Sequence, residues 1–391
     1  MPDKVTVGMV GLGLISTPHF KGYNSHPKSE VAAVCDMDED RARNFAETHG
    51  IPRYFTSYEE MIDTADINAV DIAVPTFMHA PIAIRAAQAG KHVYCEKPFC
   101  RFLGEGMEAV EAAQRSETLL TVGETYVFNT SHVKARQLID DGEIGQPLQI
   151  RHRHGAWHAR ETPAIPTGAP DRSWRVDPEK SGGGDYPWIF DFAAHFFATT
   201  EYFAQDQPIA EVYAIEATRG QGQIQAGAPH DPYATAETDI PIVTWKFEDS
   251  SVQGLWMRAE PLNGKYDFMH GFSTTIVGEK GLIEVLGEGG HNLLWDSQQQ
   301  HLVLHRQGKE TTTFRFDEGG DDIWQSDIAY YSQGHINQVH HFVDSILGDA
   351  QLRYTGEDGL RAVRNTLAAV RSVRESRPVR TDDIEPDYTA Y

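Results

Sequence analysis

Few features narrow the choice of fold as sharply as a glycine-rich turn that ends an apolar run and opens a helix, and this chain begins with one. Val5 to Val10 reads as a buried strand, Gly11-Leu12-Gly13-Leu14-Ile15-Ser16 as the turn, and Pro18 to Ser25 as the helix. Gly11 permits the tight turn and Gly13 lets backbone approach a pyrophosphate, while the free amides and positive dipole end of the helix attract the phosphates. Pro18 falls in the first turn, where a missing amide costs little. Ser16 takes the third position, where glycine or alanine is usual, so the turn alone is a weak signal. The second element is Asp36, closing the strand Glu30 to Cys35 about 20 residues beyond the turn. A carboxylate there accepts hydrogen bonds from adenosine ribose hydroxyls and repels the extra phosphate of NADP, and Met37 beside it offers no compensating charge. Strand, turn, helix and acid in register predict NAD as cofactor, with NADP disfavoured.

The rest of the first third alternates short apolar runs with helical patterns, the signature of parallel strands joined by crossover helices. Strands are expected at Ala69 to Val74, His92 to Cys95 and Leu119 to Val122, with helices at Glu39 to Thr48, Tyr58 to Asp63, Ala80 to Ala89 and Gly104 to Arg115. This predicts a doubly wound α/β Rossmann domain over 1–124. A helix at Ser131 to Asp141 and a strand at Leu148 to His154 lead into a Pro- and Gly-containing loop, Glu161 to Gly184, and a helix from Trp188 to Phe203. Seven strand patterns follow between residues 208 and 316 without crossover helices: Ala210 to Ala217, Ile240 to Phe247, Val252 to Arg258, Ser273 to Val277, Gly281 to Val285, His301 to His305 and Thr311 to Phe316. That run argues for an open, mostly antiparallel sheet with one face under helices and the other exposed or used for association. Helical patterns at Ile336 to Leu347 and Glu357 to Glu375 precede a polar tail, TDDIEPDYTAY, read as mobile or as an oligomer arm. Residues 125–391 are thus expected to form an α+β substrate-binding and oligomerisation domain, whose late helices can pack back toward the first.

Composition excludes several classes of partner. The 391 residues exceed the length at which single cores stop growing, about 250 to 300. Lysine and arginine total 34 against 57 acidic residues, and the resulting charge of -23 repels phosphate backbones and anionic membranes, so neither nucleic acid nor a membrane is expected as partner. No stretch approaches the ~18 apolar residues of a membrane span, and no export signal is visible. The three cysteines, Cys35, Cys95 and Cys100, form no CxxC pair, which points to a reducing compartment and a cytoplasmic protein.

Two segments carry candidate chemistry. In His92-Val-Tyr-Cys-Glu-Lys-Pro98, Lys97 lies just past a strand end, the side on which open parallel sheets bind ligands. A lysine there can act on a substrate hydroxyl if a nearby cation lowers its pKa; a surface lysine paired with Glu96 is an equally open reading. In SGGGDYPWIFDFAAH, Asp191 and His195 are four residues apart and share one helical face, so the aspartate can orient a histidine that relays a proton. The alternative is a buried histidine satisfied within a Phe-rich helix. Trp157, His158, Trp174 and Arg175 in the preceding loop supply flat apolar surfaces and donors suited to a polyhydroxylated ring, or simply anchor the loop. His152, His154 and His158 alternate along a strand, and His335, His340 and His341 cluster near a late helix; neither set has a familiar zinc spacing, and no metal is predicted.

Together these residues resemble the glucose-fructose oxidoreductase, inositol dehydrogenase and MocA family. The resemblance rests on GLGLIS, Asp36, VPTFMH (Val74 to His79), GKHVYCEKP (Gly90 to Pro98), DGEIG (Asp141 to Gly145), GGG followed by DxxxH, and GEKGLIEV (Gly278 to Val285), and it extends over nearly the whole chain. It implies hydride transfer between a sugar or polyol carbon and NAD, with His195 as proton acceptor and Asp191 and Lys97 as groups that bind and polarise the hydroxyl. It also implies a homodimer or homotetramer formed through the open sheet. The cofactor contacts expected are Gly11, Gly13, Leu14, Ile15, Asp36, Thr76, His79, Glu96, Lys97 and Glu124, and the substrate contacts Trp157, His158, Trp174, Arg175 and Tyr186. This chain departs from the family pattern where six residues, 185–190, separate Gly184 from Asp191, bringing Asp185, Tyr186 and Trp188 toward the site, and where Ala193 replaces a glycine. Two rival functions use the same fold: hydrolysis or elimination by transient oxidation with NAD retained, and non-catalytic nucleotide sensing.

Overall fold

The computed structural model describes residues 2–154, 174, 177–218, 239–248, 252–258, 272–288, 300–316 and 329–391. Its first layer is a six-stranded parallel sheet of β1 (Val5–Val10), β2 (Ser29–Cys35), β3 (Arg53–Phe55), β4 (Ala69–Ile72), β5 (His92–Glu96) and β6 (Leu120–Gly123), in the order β3-β2-β1-β4-β5-β6. The order reverses between β1 and β4, which opens a crevice at the carboxyl ends of the strands where such sheets take their ligands. The crossovers are α1 (Ser16–Ser25), α2 (Glu39–His49), α3 (Tyr58–Thr64), α4 (His79–Gln88) and α5 (Leu103–Arg115). Strands with both faces covered read as nearly continuous apolar runs, and Val5, Val7, Met9, Ala69, Val70 and Ile72 are wholly buried, with Asp71 in β4 a buried polar exception. Every strand and helix expected in this region is present. The extra strand, β3, has two exposed residues in three, so no apolar run marks it.

The second layer contains α6 (Thr130–Asp140), β7 (Pro147–His154), α7 (Pro178–Ser181), α8 (Pro187–Phe203), β8 (Ile209–Thr218), β9 (Asp239–Phe247), β10 (Gln253–Arg258), β11 (Phe272–Gly278), β12 (Gly281–Leu286), β13 (His301–Arg306) and β14 (Thr312–Arg315). It closes with α9 (Ala329–Leu347), α10 (Gly356–Glu375) and β15 (Val379–Arg380). The sheet order is β14-β13-β12-β11-β7-β10-β9-β8-β15, antiparallel except where β10 lies parallel to β7. Alternation along β9 puts Val243, Trp245 and Phe247 inward and Ile242, Thr244 and Lys246 outward. Helix α8 covers the inner face, with Phe196 stacked on Trp256 and Phe197 edge-on to Trp245. The outer face exposes Tyr213, Ile215, Ile242 and Met257.

Helix α9 returns to the first sheet. Its Val339, Phe342, Val343 and Ile346 join Val5, Val7 and Tyr23 in one core cluster, while Gln338 accepts from the Tyr94 hydroxyl and donates to the Val122 carbonyl. The tail, read from the sequence as mobile or as an oligomer arm, packs along its own chain. Val379 and Arg380 pair with Val212 and Glu211 of β8, the Thr381 hydroxyl donates to the Ile209 carbonyl, and Ile384 and Ala390 are buried. Its apolar residues are too sparse to form a pattern, and backbone contacts, to which sequence is blind, hold much of it.

Candidate active site

At the cofactor end, Gly11 has φ +88°, and a Cβ there would sit 2.5 Å from the Ala73 carbonyl oxygen, so the close approach of the turn to β4 admits only glycine. Ser16 is buried, and its hydroxyl donates to the Gly13 carbonyl at 2.6 Å, closing the turn from the position usually held by a small residue. No side chain caps the start of α1; the Ser16 amide donates to the Gly13 carbonyl and Pro18 has none, which leaves the Thr17 amide of that turn to face an anion. Thr76, in the short turn after β4, has a buried hydroxyl with no partner among the described residues, and a group that costly to bury dry fits a site completed by a ligand. Leu14 and Ile15 lie in the turn itself, Ile15 at the N-cap of α1.

Asp36 accepts hydrogen bonds from the amides of Leu12, at 2.9 Å, and Asp38, at 3.0 Å. Its carboxylate also meets the Arg41 guanidinium at 2.8 Å. The positive charge that Met37 does not offer is thus supplied from the first turn of α2, which needed the three-dimensional path of the chain to see. His79 faces the carbonyls of Val74 and Pro98, both at 2.8 Å, and so ties the turn after β4 to the loop after β5.

Glu96 is buried within a charged cluster. Its carboxylate meets His19 Nε2 at 3.1 Å and accepts the Lys97 amide, while His19 Nδ1 lies 3.0 Å from Asp71, which also accepts from the Tyr23 hydroxyl. Burial alone would drive the His19 pKa down, but charge and hydrogen bonding from Asp71 and then Glu96 outweigh it and raise it to about 10. His335 brings a third donor, so His19, Glu96 and His335 offer ligand atoms within 4.8 Å of one another. The hydrogen-bond separation between His19 and Glu96 accounts for that geometry with a proton between them.

The candidate catalytic side chains sit at the ends of β5 and β6 and on α8. In the parallel register Glu96 stands beside Gly123, so Lys97 and Glu124 leave adjacent strands at one level, about 5 Å apart by strand spacing. On α8, Asp191 and His195 are one turn apart, about 6 Å. The two spacings match and form two pairs. Lys97 Nζ meets Asp191 Oδ1 at 3.0 Å and its carbonyl at 3.1 Å, and His195 Nδ1 meets the two oxygens of Glu124 at 2.7 and 2.9 Å. Lys97 also lies over the Phe192 ring, its peptide bond to Pro98 is cis, and Tyr126 stacks on the His195 imidazole at 4.5 Å. The sequence spacing suggested that Asp191 orients His195; instead Glu124 does so, and Asp191 holds Lys97. Register between two strands, invisible in a linear pattern, decides this.

His152 does not face solvent or substrate. It is buried between the hydroxyls of Thr274, at 2.9 Å, and Thr200, at 2.7 Å, and burial, with a smaller push from His132, lowers its pKa to about 3. Thr274 donates to Glu288, which pairs with His132, and His132 Nδ1 faces the Tyr126 carbonyl, so a polar chain runs beneath the sheet to the ring behind His195. Nothing in the sequence pattern marked Glu288 or His132. Of the expected substrate contacts, Trp157, His158 and Arg175, like the His154 side chain, lie outside the described residues, and Trp174 is half-buried. Tyr186 occupies the N-cap position of α8 without a side-chain capping bond, its ring under the Arg374 guanidinium 5.6 Å away, and Asp185 is exposed.

Residues 5–124 match the model of an oxidoreductase family's NAD-binding Rossmann fold, and residues 136–381 match that family's C-terminal alpha/beta domain. The chain belongs to the glucose-fructose oxidoreductase, inositol dehydrogenase and MocA family. It is an oxidoreductase with an NAD-binding Rossmann domain. Curated relatives include the 1,5-anhydro-D-fructose reductase of Ensifer adhaerens, 26% identical over 93% of this chain and 95% of that one. Another is the myo-inositol 2-dehydrogenase of Thermotoga maritima, 23% identical over 97% and 99%. Among solved structures, levoglucosan dehydrogenase in complex with NADH and levoglucosan superposes with a TM-score of 0.75 at 22% identity, covering 97% of this chain and 99% of that one. No helix among the described residues is long and apolar enough to cross a membrane.

Proposed function

We propose that this oxidoreductase transfers hydride between a CH–OH carbon of a sugar, polyol or sugar derivative and NAD. The observation that carries the reading is the matched pairing of Lys97 with Asp191 and Glu124 with His195 on one face of α8, at the carboxyl ends of β5 and β6. Bound NAD supplies the hydride acceptor. Glu124 accepts the Nδ1 proton of His195, which fixes the tautomer with a lone pair on Nε2, ready to take the proton of a substrate hydroxyl. Tyr126, stacked on the ring, restricts its rotation. Asp191 holds the Lys97 ammonium beside the same face, where it donates to the oxygen that becomes the carbonyl. Gly11, Gly13 and the first turn of α1 receive the pyrophosphate, Asp36 the adenosine ribose, and Thr76 offers its hydroxyl to the cofactor. Named relatives acting on an inositol and an anhydro-sugar support the substrate class. The apolar outer face of the sheet supports a homo-oligomer.

The test is NAD and NADP reduction against aldoses, inositols, sugar acids and anhydrosugars. The expected result is stoichiometric NADH with at least one polyol, lost in Lys97→Ala and His195→Ala. Unchanged turnover in both variants would sink the reading, and product without net NADH would replace it with hydrolysis or elimination through transient oxidation.

A further inference from the structure

The buried loop Ser181 to Gly184, which leads into α8, is held between two stretches of backbone. On one side a Cβ at Gly182 would sit 2.8 Å from the Arg101 Cα. On the other a Cβ at Gly184, whose φ is +57°, would collide with the Ala390 carbonyl. No side chain fits on either side, so the two glycines let three chain segments stack at backbone distance. Arg101 stands four residues after Lys97, and Gly184 stands seven before Asp191. Whatever fixes this stack also fixes how closely the β5 side of the site approaches the α8 side.

The tail closes the stack. The Pro386 carbonyl accepts the Gly104 amide at 2.8 Å, at the start of α5, whose N-cap residue Phe102 supplies no side-chain partner. The Ala390 carbonyl accepts from the Arg374 guanidinium, which also covers the Tyr186 ring at the start of α8. Arg371 donates to the Asp383 carbonyl at 2.8 Å and pairs with Glu385, which holds the middle of the tail to α10. Arg101 completes the bridge by donating to the Glu179 carbonyl in α7.

We propose that residues 381–391 act as an intramolecular staple, locked by Arg374, that sets the distance between Lys97 and Asp191. Arg374 is then a positioning residue for the reaction proposed above, on which the kinetic part of the test rests. A staple works by removing freedom from α5 and the α8 entry together, and a site loosened by about 1 Å loses on the order of 100-fold in rate.

The experiment compares full-length Arg374→Ala, Arg374→Lys and Arg380→Ala with the unaltered chain, using NAD affinity, thermal midpoint, kcat, KM and amide hydrogen exchange. Arg374→Ala is expected to lower kcat about 100-fold while the NAD dissociation constant stays within about twofold. Exchange at residues 183–191 should rise while β1 stays protected. Arg374→Lys, which can still donate to Ala390, should restore most of the rate, and Arg380→Ala, which precedes the staple and meets Glu248 and, at 3.9 Å, Asp382 but not Ala390, should leave it unchanged. The staple is overturned if Arg374→Ala keeps full kcat and a protected loop, or if kcat falls only in step with NAD affinity and thermal midpoint. If the unaltered protein oxidises no polyol, the proposed function fails, and exchange at residues 183–191 alone decides the staple.

Discussion

Two buried histidines, one in each layer, carry opposite charge states for the same amount of burial. His19 lies between two carboxylates and is held as an imidazolium, its pKa raised to about 10; His152 lies between two hydroxyls and is held neutral, lowered to about 3. Desolvation penalises the charged ring in both places, so partner charge decides the outcome. The first cluster sits under the cofactor crevice and pins Glu96, neighbour of Lys97. The second sits under the sheet and joins β7 to α8 and β11 through neutral hydrogen bonds. His195 differs from both in its partners, with Nδ1 on the Glu124 carboxylate and Tyr126 stacked on the ring.

Breaking the charged cluster should have the largest effect. His19→Leu leaves Asp71 and Glu96 buried without their cation, and we expect a loss of about 3–5 kcal/mol in urea unfolding; a loss below about 1 kcal/mol would show that the cluster is neutral. Glu124→Gln keeps the size of the side chain but removes the charge behind His195. Its kcat should fall about 100-fold with NAD affinity preserved, and equal activity would remove Glu124 from the mechanism. His152→Leu deprives the Thr200 hydroxyl of its partner and should cost about 1–3 kcal/mol, less than His19→Leu in the same assay.

The pH dependence of stability sharpens the contrast. His19 binds its proton more tightly in the fold than its ordinary value of 6.5, so its contribution is complete below pH 6.5 and is lost as pH rises through about 10. His152 binds its proton more weakly than the ordinary 6.5, so its contribution is complete above that value and is lost as pH falls toward about 3. Unfolding free energies across both windows should lose the alkaline slope in His19→Leu and part of the acid slope in His152→Leu. A slope that survives its own variant would reassign it. The smallest effect is expected where the pairing meets water. Asp36→Ser removes one of the two carboxylates on half-buried Arg41 and leaves Asp38, and it should raise affinity for 2′,5′-ADP by up to about tenfold, a gain that Arg41→Ala in the same background removes. No gain would mean that Arg41 does not reach the 2′ position.

Much of the first layer was legible because parallel strands buried on both faces read as nearly continuous apolar runs, and the helices between them carry their own period. The same applies to α8, whose Asp191 and His195 share a face by spacing alone. Less was legible where few side chains carry the signal. β3 is short and exposed, α7 is a single turn, and the tail is held largely by carbonyls and by three arginines from α10, Arg364, Arg371 and Arg374. The candidate site divided in the same way: Lys97, Asp191, His195 and Glu124 were all named from sequence, but their partners were not.

The sequence by itself determined the glycine turn, the acid at the end of β2, the alternation that separates the two sheets and the residue types of the site, because each depends on neighbours within a few positions. Only the tertiary structure decided which carboxylate serves His195, which cation meets Asp36 and where the tail docks. Those choices are made by strand register and by the packing of α8 and α10 across the sheets, and such contacts join residues tens to hundreds of positions apart that no local pattern connects.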